Sequence, residues 1–324
     1  MYNELHFMLR AAVIGIGNMG MNHVRTFSKI NNTTLVAVSD TDTARKKFLS
    51  SSGPNFYQDF FEMITAERPD LVSICVPTSL HYKVAQICLE EKIHVLLEKP
   101  IASSVGEARK LLKTAAKNNV KLLIGHTERY NPAVVKAKEL IQSGELGKIC
   151  AIAIRRVGGF PPQIKDANIA VDLAIHDIDI ANYLLDDLPK ELCINKQKFH
   201  TKTREDSVEF FMKYKNKASV YIQANWISPV KIRKMNVTGT NGYFELDYIT
   251  QTIEFYKSNF SKFKQASKGY SDYILQFTDP DRISIAVEKK EPLEEEILYF
   301  LNAIEKDKKI DSGHAVDALK IALA

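Results

Sequence analysis

The glycine pattern GIGNMG, which begins at Gly15, places the strongest constraint on how this chain can fold. It ends the apolar run AAVIGIG at 11–17 and opens the helical pattern MGMNHVRTFSKI at 19–30. Glycines spaced G-x-G-x-x-G between a strand and a helix indicate the first turn of a βαβ unit. Gly15 permits the tight turn, Gly17 lets a ligand approach the backbone, and the last glycine lets the helix pack closely on the strand.

Predicted strands and helices then alternate along the next hundred residues. Further strands are predicted at 34–40, 70–77, 93–100 and 121–126, and helices at 43–51, 80–91 and 105–119. The strands are almost continuously apolar, so both faces of their sheet must be covered. We therefore predict an α/β fold that begins with a Rossmann domain, a doubly wound parallel sheet, over residues 1–126.

The pattern changes after residue 126, where longer segments alternate apolar and polar residues. Strands are predicted at 148–158, 190–199, 207–216, 218–227 and 232–257, with a turn at TNG (240–242), and helices at 132–144, 293–307 and 314–324. Such segments favour antiparallel pairing with one face of the sheet open. Residues 127–324 should form an α+β domain with a large, mostly antiparallel, open-faced sheet.

Composition excludes several classes of protein. The net charge of +5 over 324 residues is mild and dispersed, which does not favour a nucleic-acid partner. The four cysteines have no metal-ligand spacing, which predicts no metal site and indicates reduced thiols in a cytoplasmic protein. No apolar run reaches the roughly 20 residues of a membrane span. Residues 1–8 are interpreted as a short extension rather than a signal peptide, because Glu4 and Arg10 interrupt the apolar run.

The helix after the glycine loop should bind a dinucleotide pyrophosphate, because its first N–H groups and its dipole favour an anion. Asp40 ends the second predicted strand, twenty residues after Gly20. A carboxylate at this position can accept hydrogen bonds from the adenosine ribose and repels a 2′-phosphate. We therefore predict NAD as the cofactor, with NADP less favoured but kept open by the nearby Arg45 and Lys46.

Six motifs in this order resemble the Gfo/Idh/MocA oxidoreductases over nearly the whole chain. They are GIGNMG (15–20), VPTSLHYKVA (76–85), EKP (98–100), GHTERYNP (125–132), DLAIHDID (172–179) and GTNG (239–242). The resemblance implies that Lys99 is catalytic, that Pro100 follows a cis peptide bond, and that Asp172 and His176 belong to the active site. From the residues alone, EKP could equally be a salt bridge that ends a strand, and Asp172 and His176 a solvated helical pair.

The catalytic hypothesis assigns three residues to the oxidation of a secondary alcohol, which loses a hydride from carbon and a proton from oxygen. His176 can accept the proton, because imidazole titrates near neutral pH. Lys99 can hydrogen-bond the same oxygen and stabilise the developing alkoxide. Asp172 can orient the substrate or tune His176. The sequence leaves open whether Lys99 or His176 is the base, and the two should titrate as a coupled pair.

The remaining site predictions are two sets of binding residues. The predicted cofactor contacts are Gly15, Gly17, Asn18, Met19, Gly20, Asp40, Pro77, Thr78, His81, Glu98 and His126. The predicted substrate contacts are Lys99, Tyr130, Asn131, Arg156, Asp172, His176, Lys231 and Arg233. His81 could instead only start a helix, Tyr130 and Asn131 could brace the domain junction, and the basic strand residues could be solvated.

Two stretches bear on the substrate, RRVGGFPPQIKD (155–166) and NWISPVKIRKMNVTG (225–239). With GHTERYNP they are similar to the branch of the family formed by UDP-N-acetylglucosamine 3-dehydrogenases, which oxidise the sugar 3-hydroxyl. Basic residues in both stretches would suit a diphosphate. The alternatives are a dehydrogenase of free sugars or inositols with the same catalytic residues and a non-catalytic, NAD-binding regulatory protein.

Assembly is expected from the resemblance, because members of this family commonly pair through the open face of the second-domain sheet. Phe210, Phe211, Tyr221 and Trp226 are candidates to cover that face. A homodimer or homotetramer is therefore predicted, without a membrane or nucleic-acid partner. The resemblance also implies that the domain at 127–324 binds substrate and mediates oligomerisation.

Overall fold

The computed structural model describes residues 8–160, 168–257 and 281–324. Most of the predicted extension at 1–8 and residues 161–166 of the first substrate-related stretch lie outside the described residues. All predicted binding and catalytic residues lie within them. The chain divides into two compact units. The first combines the residues up to Thr127 with Leu293–Lys320, and the second combines Glu128–Pro292 with Ile321–Ala324.

The first unit contains a parallel sheet in the strand order β3-β2-β1-β4-β5-β6. Its strands are β1 (Leu9–Ile14), β2 (Thr33–Ser39), β3 (Asn55–Tyr57), β4 (Leu71–Ile74), β5 (His94–Glu98) and β6 (Leu122–Gly125). The residues of β4 and β6 are buried throughout, and those of β1 and β5 nearly so, as expected for strands covered on both faces. The predicted doubly wound Rossmann sheet is confirmed.

Helices connect these strands: α1 (Asn18–Phe27), α2 (Phe60–Glu67), α3 (Thr78–Glu90) and α4 (Val105–Asn118). The prediction missed α2 and β3. It was also wrong about a helix at 43–51, where the structure has a short 3-10 helix, Thr43–Phe48. None of the residues of this 3-10 helix is buried, so it lacks the apolar face that would stabilise an α-helix.

The second unit contains a sheet in the order β14-β13-β12-β11-β7-β10-β9-β8. Its strands are β7 (Ile149–Val157), β8 (Pro189–Gln197), β9 (Ser207–Tyr214), β10 (Ser219–Asn225), β11 (Ile232–Gly239), β12 (Gly242–Asp247), β13 (Thr252–Lys257) and β14 (Arg282–Ile285). Of the pairs described, β7–β10 is parallel and the others are antiparallel. The predicted α+β class and mostly antiparallel sheet are therefore confirmed. Helices α5 (Pro132–Gln142) and α6 (Ile175–Leu185) belong to the same unit.

One face of this second sheet is buried and the other is open. Along β9 and β10 the buried side includes Phe210 at 0% exposure, and the open side includes Phe211 at 44% and Tyr221 at 38%. Phe211 and Tyr221 are paired in the antiparallel register of the two strands. Trp226 is only 3% exposed. The expectation that Phe210 and Trp226 also cover the open face was therefore wrong, because both side chains are buried.

The C-terminal helices are α7 (Pro292–Glu305) and α8 (Gly313–Leu323). In α7 an apolar stripe formed by Leu293, Ile297, Phe300 and Leu301 belongs to the same buried cluster as residues of β1 and α1. This packing explains why Leu293–Lys320 belongs to the first unit, whereas the sequence predicted one uninterrupted domain over 127–324. Among the described residues, no helix combines the length and apolar character that a membrane span requires.

Candidate functional site

The glycine loop joins β1 to α1 in a conformation that explains its glycines. Gly15 has φ +83° and donates its N–H to the Ser39 carbonyl oxygen at 2.8 Å. A Cβ at Gly15 would lie 2.9 Å from the Cys75 carbonyl oxygen, and one at Gly20 would collide with the carbonyl oxygen of Gly15. At Gly17, by contrast, no atom of the described residues lies within 4 Å of the Cβ position. The loop is thus closely packed on its inner side and open at Gly17.

The amino end of α1 is available to an anion. Gly17 is the N-cap residue, and within the part of the chain that the structure describes no side chain caps the helix. Asn18 and Met19 follow and are exposed. Uncapped N–H groups at a helix amino end, reached over a glycine, form a site that fits a pyrophosphate.

Asp40 follows β2 and connects it to the glycine loop. Its carboxylate accepts the Ile16 N–H at 2.9 Å through Oδ2 and the Asp42 N–H at 2.9 Å through Oδ1. The guanidinium of Arg45 lies 3.7 Å from Oδ2. A cavity of about 1130 Å³ lies mainly along α1 and the first residues of β2, and its lining includes Gly17, Asn18 and Arg45 but not Asp40.

Lys99 directly follows β5 and is partly exposed. The peptide bond between Lys99 and Pro100 is cis, as the resemblance implied. Because β5 is an inner strand of a parallel sheet, Lys99 lies at the carboxyl edge of the sheet. This is the edge at which doubly wound sheets bind their ligands.

Glu98 points into the first unit and is already engaged there. Its Oε1 lies 3.1 Å from Nε2 of His23 in α1, and Nδ1 of His23 lies 2.8 Å from the Ser73 hydroxyl. Gly125 makes room for this carboxylate, since a Cβ there would lie 3.4 Å from Glu98 Oε2. Burial raises the pKa of Glu98, but His23, Lys99 and His81 outweigh it and the net pKa is lowered.

The interaction partners of His23 were not predicted from the sequence. His23 is 1% exposed, and its pKa is raised well above the usual value. Burial opposes this rise, but the neighbouring Cys75 and Glu98 outweigh the burial. A ring nitrogen of His23, the sulfur of Cys75 and a carboxylate oxygen of Glu98 all lie within 4.8 Å of one another. No spacing signal could have shown this group, because Glu98 is 75 residues from His23 along the chain.

The residues after β4 lead into α3. Pro77 is its N-cap residue and is exposed, and Thr78 is its first residue. His81 is only 1% exposed. Its Nδ1 lies 2.6 Å from the Pro100 carbonyl oxygen and its Nε2 lies 2.9 Å from the Val76 carbonyl oxygen. His81 is therefore buried behind the sheet edge and binds backbone groups of two strand ends.

His126 follows β6 and is 2% exposed. Its ring meets that of His314 edge to face, with centroids 5.6 Å apart. The next residue, Thr127, donates its hydroxyl to Glu296 of α7 at 3.0 Å. Glu296 is completely buried, and burial together with the charge of Glu98 raises its pKa to about 8.

Asp172 and His176 lie where a π-helical turn, Ala170–Ala174, continues into α6. Both side chains are partly exposed. The sequence predicted an ordinary α-helix here, whereas π turns are rare and are often found at functional sites. Their neighbours Asp177 and Asp179 are buried instead, at 0% and 1% exposure. Of the three aspartates in DLAIHDID, Asp172 is thus partly exposed like His176, whereas Asp177 and Asp179 are buried.

The buried aspartates of α6 are partners of arginines within the second unit. Asp179 receives two hydrogen bonds from Arg129, at 2.6 and 2.8 Å. Asp177 accepts a hydrogen bond from Arg156 Nε at 2.8 Å, and Arg156 Nη1 donates a hydrogen bond to Glu128 at 2.8 Å. Burial lowers the pKa of Arg156, but these two carboxylates outweigh it and the net pKa is raised. Arg156 is 4% exposed, so it is neither solvated nor open to a substrate phosphate as placed here.

The other predicted substrate residues differ in accessibility. Asn131 is 2% exposed, caps α5 at Ala133 and donates to the Tyr248 carbonyl oxygen at 3.1 Å. Tyr130 is partly exposed at the end of a 3-10 turn. Lys231 is exposed, and Arg233 is partly exposed with Nη1 bound to the Val157 carbonyl oxygen at 2.7 Å. Asn131 therefore has a bracing role, while the other three remain accessible.

Arg233 connects the start of β11 to the end of β7. Its guanidinium lies about 4 Å from where a Cβ at Gly158 would be, so that glycine borders the arginine. Burial lowers the pKa of Arg233 and the Arg156 charge adds to this, while carboxylates that include Asp172 oppose it. The structure therefore brings Arg233 and Asp172 into one electrostatic neighbourhood.

Two family models match the chain. One, described as an oxidoreductase family with an NAD-binding Rossmann fold, matches residues 9–126. The other, described as the GFO/IDH/MocA C-terminal domain, matches residues 134–245. The two matches together span well over half of the chain.

Individual relatives include enzymes with different substrates. UDP-N-acetylglucosamine 3-dehydrogenase of Acidithiobacillus ferrooxidans is 26% identical over 296 residues, which cover 91% of this chain and 88% of that protein. Myo-inositol 2-dehydrogenase of Thermotoga maritima is 28% identical over 190 residues, which cover 57% of each chain. The chain spans little more than half the length of several further curated relatives that it matches.

A solved structure of the Acidithiobacillus ferrooxidans UDP-N-acetylglucosamine 3-dehydrogenase has a TM-score of 0.83 to this chain at 25% identity. The likeness covers 97% of this chain and 95% of that one. Both halves of the sequence and both sheets therefore have counterparts in one family. The chain belongs to the Gfo/Idh/MocA oxidoreductases.

Proposed function

We propose that this protein is an NAD-dependent dehydrogenase that oxidises a secondary hydroxyl of a sugar, in its most specific form the 3-hydroxyl of UDP-N-acetylglucosamine. One observation carries the substrate proposal. The likeness to the Acidithiobacillus ferrooxidans enzyme for that substrate extends over 91% of this chain and includes both sheets. The likeness to the inositol dehydrogenase extends over 57%.

The glycine loop and Asp40 support NAD as the cofactor. The open position at Gly17 and the uncapped amino end of α1 fit its pyrophosphate. Two backbone N–H groups fix the Asp40 carboxylate beside this loop, where it can accept hydrogen bonds from ribose hydroxyls. Its charge disfavours a 2′-phosphate, which supports NAD over NADP. When bound, the nicotinamide supplies the acceptor for the hydride.

Lys99 and His176 are assigned to the proton of the reacting hydroxyl. Both are partly exposed, as residues that touch a substrate must be. The Lys99 ammonium can hydrogen-bond the oxygen and stabilise its developing negative charge. The His176 imidazole can accept the proton at a neutral pH. Asp172, one turn before His176, orients the substrate or the imidazole.

Two basic residues are assigned to the diphosphate of the substrate, Lys231 and Arg233 at the start of β11. Lys231 is exposed and Arg233 is partly exposed, and Arg233 lies beside Gly158, which has no side chain that could cover its guanidinium. Arg156 is left out of this assignment, because Asp177 and Glu128 already compensate its charge. Tyr130 remains a candidate contact for the sugar.

A thermal-shift titration in the presence of NAD tests the substrate class. A ligand that binds only the folded state raises the stability in proportion to the logarithm of its concentration over its dissociation constant. We expect shifts with UDP-N-acetylglucosamine and with UDP, but none with glucose or myo-inositol. A shift with a free polyol alone would refute the nucleotide-sugar proposal. Lys231→Ala should reduce the UDP shift, and Lys113→Ala, at an exposed position of α4 rather than on the open sheet face, is its control.

The second candidate is a dehydrogenase of free sugars or inositols. The 28% identity to the Thermotoga maritima inositol dehydrogenase favours it, within the shorter range of that alignment. It requires the same Lys99, Asp172 and His176 and predicts a shift with myo-inositol that UDP does not affect. The presence of all three residues argues against a purely regulatory protein.

We further propose that the protein is a homodimer or homotetramer that assembles through the open face of the second sheet. Phe211 and Tyr221 support this, since both are exposed and they are cross-strand partners at the same place on that face. Exposed aromatic residues that lie together are typical of contact surfaces.

A further inference from the structure

We propose that the buried His81 is a positioning residue for Lys99, and that it works as an imidazolium that joins two backbone carbonyl groups. The segment it holds, Glu98–Lys99–Pro100, is called the EKP segment below. The inference rests on the proposed function in one respect, the assignment of Lys99 to the reacting hydroxyl.

The geometry around His81 requires two donors. His81 is the fourth residue of α3 and is 1% exposed. Its two ring nitrogens lie 2.6 Å from the Pro100 carbonyl oxygen and 2.9 Å from the Val76 carbonyl oxygen. A carbonyl oxygen can only accept, whereas a neutral imidazole has one N–H and one lone pair. In the neutral ring, one buried lone pair would face another at hydrogen-bond distance, which is unfavourable. The imidazolium satisfies both contacts.

Charged groups on the surrounding elements both favour and oppose a positive ring. Glu98 at the end of β5 is negative, and the charge of His81 contributes to lowering its pKa. Lys99, the adjacent residue, is a cation, and the amino end of α3 carries a partial positive charge. Beyond Glu98 lie His23 of α1 and Glu296 of α7. Glu98 therefore supplies the compensating charge, and the two carbonyl dipoles add to it.

The two carbonyl groups belong to different strand ends. Val76 follows β4 and Pro100 follows β5, so the ring of His81 fixes the exits of these neighbouring strands relative to each other. On the other side of Lys99, His23 holds the Glu98 carboxylate, which also accepts the Lys99 N–H at 3.3 Å. Lys99 is thus flanked by two anchored residues. Displacing a catalytic group by about 1 Å can reduce a rate by roughly a hundredfold.

The protonation of the ring can be observed without any substrate. In protein labelled with 15N at histidine, nitrogen NMR distinguishes an imidazolium, with two N–H groups, from either neutral tautomer. We expect the His81 signals, assigned by their loss in His81→Gln, to show two N–H groups at pH 7. Should the ring prove neutral at this pH, the proposal is overturned.

The positioning role is tested by His81→Gln, whose single amide nitrogen cannot join both carbonyl groups. The matched control is His94→Gln at the opposite end of β5, where His94 Nδ1 accepts the Lys121 N–H at 2.9 Å. We expect hydrogen exchange in the peptide covering 96–103 to accelerate at least tenfold, on the order of one lost hydrogen bond, in His81→Gln but not in His94→Gln. Equal exchange in the two variants would overturn the proposal.

A double-mutant cycle shows whether His81 acts through Lys99. With NAD and UDP-N-acetylglucosamine, His81→Gln should lower kcat roughly 10- to 100-fold and change the KM for NAD much less. In a Lys99→Met background the same substitution should lower kcat no further. Additive losses would contradict a role through Lys99. Full activity of Lys99→Met alone would instead refute the proposed function, and the NMR and exchange results would still decide the state of His81.

Discussion

At the scale of single residues, the first unit contains two buried carboxyl groups that differ in their affinity for protons. Glu98 is paired with His23 and has a lowered pKa, whereas burial and the Glu98 charge raise the pKa of Glu296 to about 8. When the surroundings of two neighbouring carboxyl groups give them different pKa values, the group with the lower pKa is ionised while the other is still protonated. Glu296 is thus the protonated member at neutral pH.

This difference predicts a pH-dependent effect of Glu296→Gln. The pKa of Glu296 is about 8 in the folded protein and near its usual 4.5 in the unfolded chain. Between these values the folded state holds a proton that the unfolded state has lost, so the free energy of unfolding falls as pH rises. The slope from one such group is about 1.4 kcal/mol per pH unit.

The glutamine variant lacks this titration. Its stability relative to the wild type should therefore increase steadily from pH 5 to pH 8, as measured by urea denaturation at each pH. The comparison at pH 5 is the internal control for any packing change. Two curves that run parallel across this range would show that Glu296 is ionised in the folded protein.

The sequence predicted residues whose role depends on local chain geometry. The glycine loop and Asp40 occur where the motifs indicated, and the cis bond before Pro100 occurs where the family resemblance implied it. It could not predict pairs that only the tertiary fold creates, such as Glu98 with His23 or Arg156 with Asp177. A strand residue such as Arg156 can face the open or the buried side, and its paired burial depends on partners elsewhere in the chain.

At the scale of elements, α7 is the helix whose place differs from the prediction. Its hydrophobic pattern predicted an amphipathic helix, which the structure confirms at Pro292–Glu305. The pattern does not state which core the apolar face joins. The buried cluster answers this, because Phe300 and Leu301 pack with residues of β1 and α1.

Two leucines of α7 provide a matched test of this packing. Leu301 is 0% exposed and Leu298 is 36% exposed on the same helix. Leu301→Ala should lower the free energy of unfolding by about 2–5 kcal/mol, since it leaves a cavity in a packed core. Leu298→Ala should cost less than about 1 kcal/mol. Denaturant titration measures both, and similar losses would contradict the assigned face.

Other elements show where sequence patterns were insufficient. The segment at 43–48 has helix-forming residues but no buried side chain, and a 3-10 helix resulted. The π turn at Ala170–Ala174 interrupts a segment whose spacing indicated an ordinary α-helix. In the first case favourable local propensity without a buried apolar face did not produce an α-helix, and in the second the residue spacing contained no signal for a π turn.

At the scale of the whole molecule, the open sheet face is the surface whose role the proposed assembly explains. Alternation along β9 and β10 predicted that one side is open, but not which of Phe210 and Phe211 lies on it. The register places Phe211 beside Tyr221 on the open side.

This face predicts the effect of Phe211→Glu on assembly. A charge placed in a buried contact surface is costly, so the variant should elute with a smaller mass than the wild type in size-exclusion chromatography with light scattering. Phe61→Glu, at a residue of α2 that is 49% exposed, is the matched control and should leave the mass unchanged. A wild-type monomer, or an unchanged mass of Phe211→Glu, would contradict assembly through this face.

The proposed function requires this chain to transfer a hydride to NAD with the help of Lys99 and His176. The most direct measurement is NADH formation with NAD and UDP-N-acetylglucosamine, with myo-inositol in parallel, for the wild type, Lys99→Met and His176→Gln. We expect the wild type to form NADH and each variant to be slower by roughly 100-fold or more while still binding NAD. NADH formation at the wild-type rate by either variant, or none by a wild type that binds both ligands, would contradict the claim.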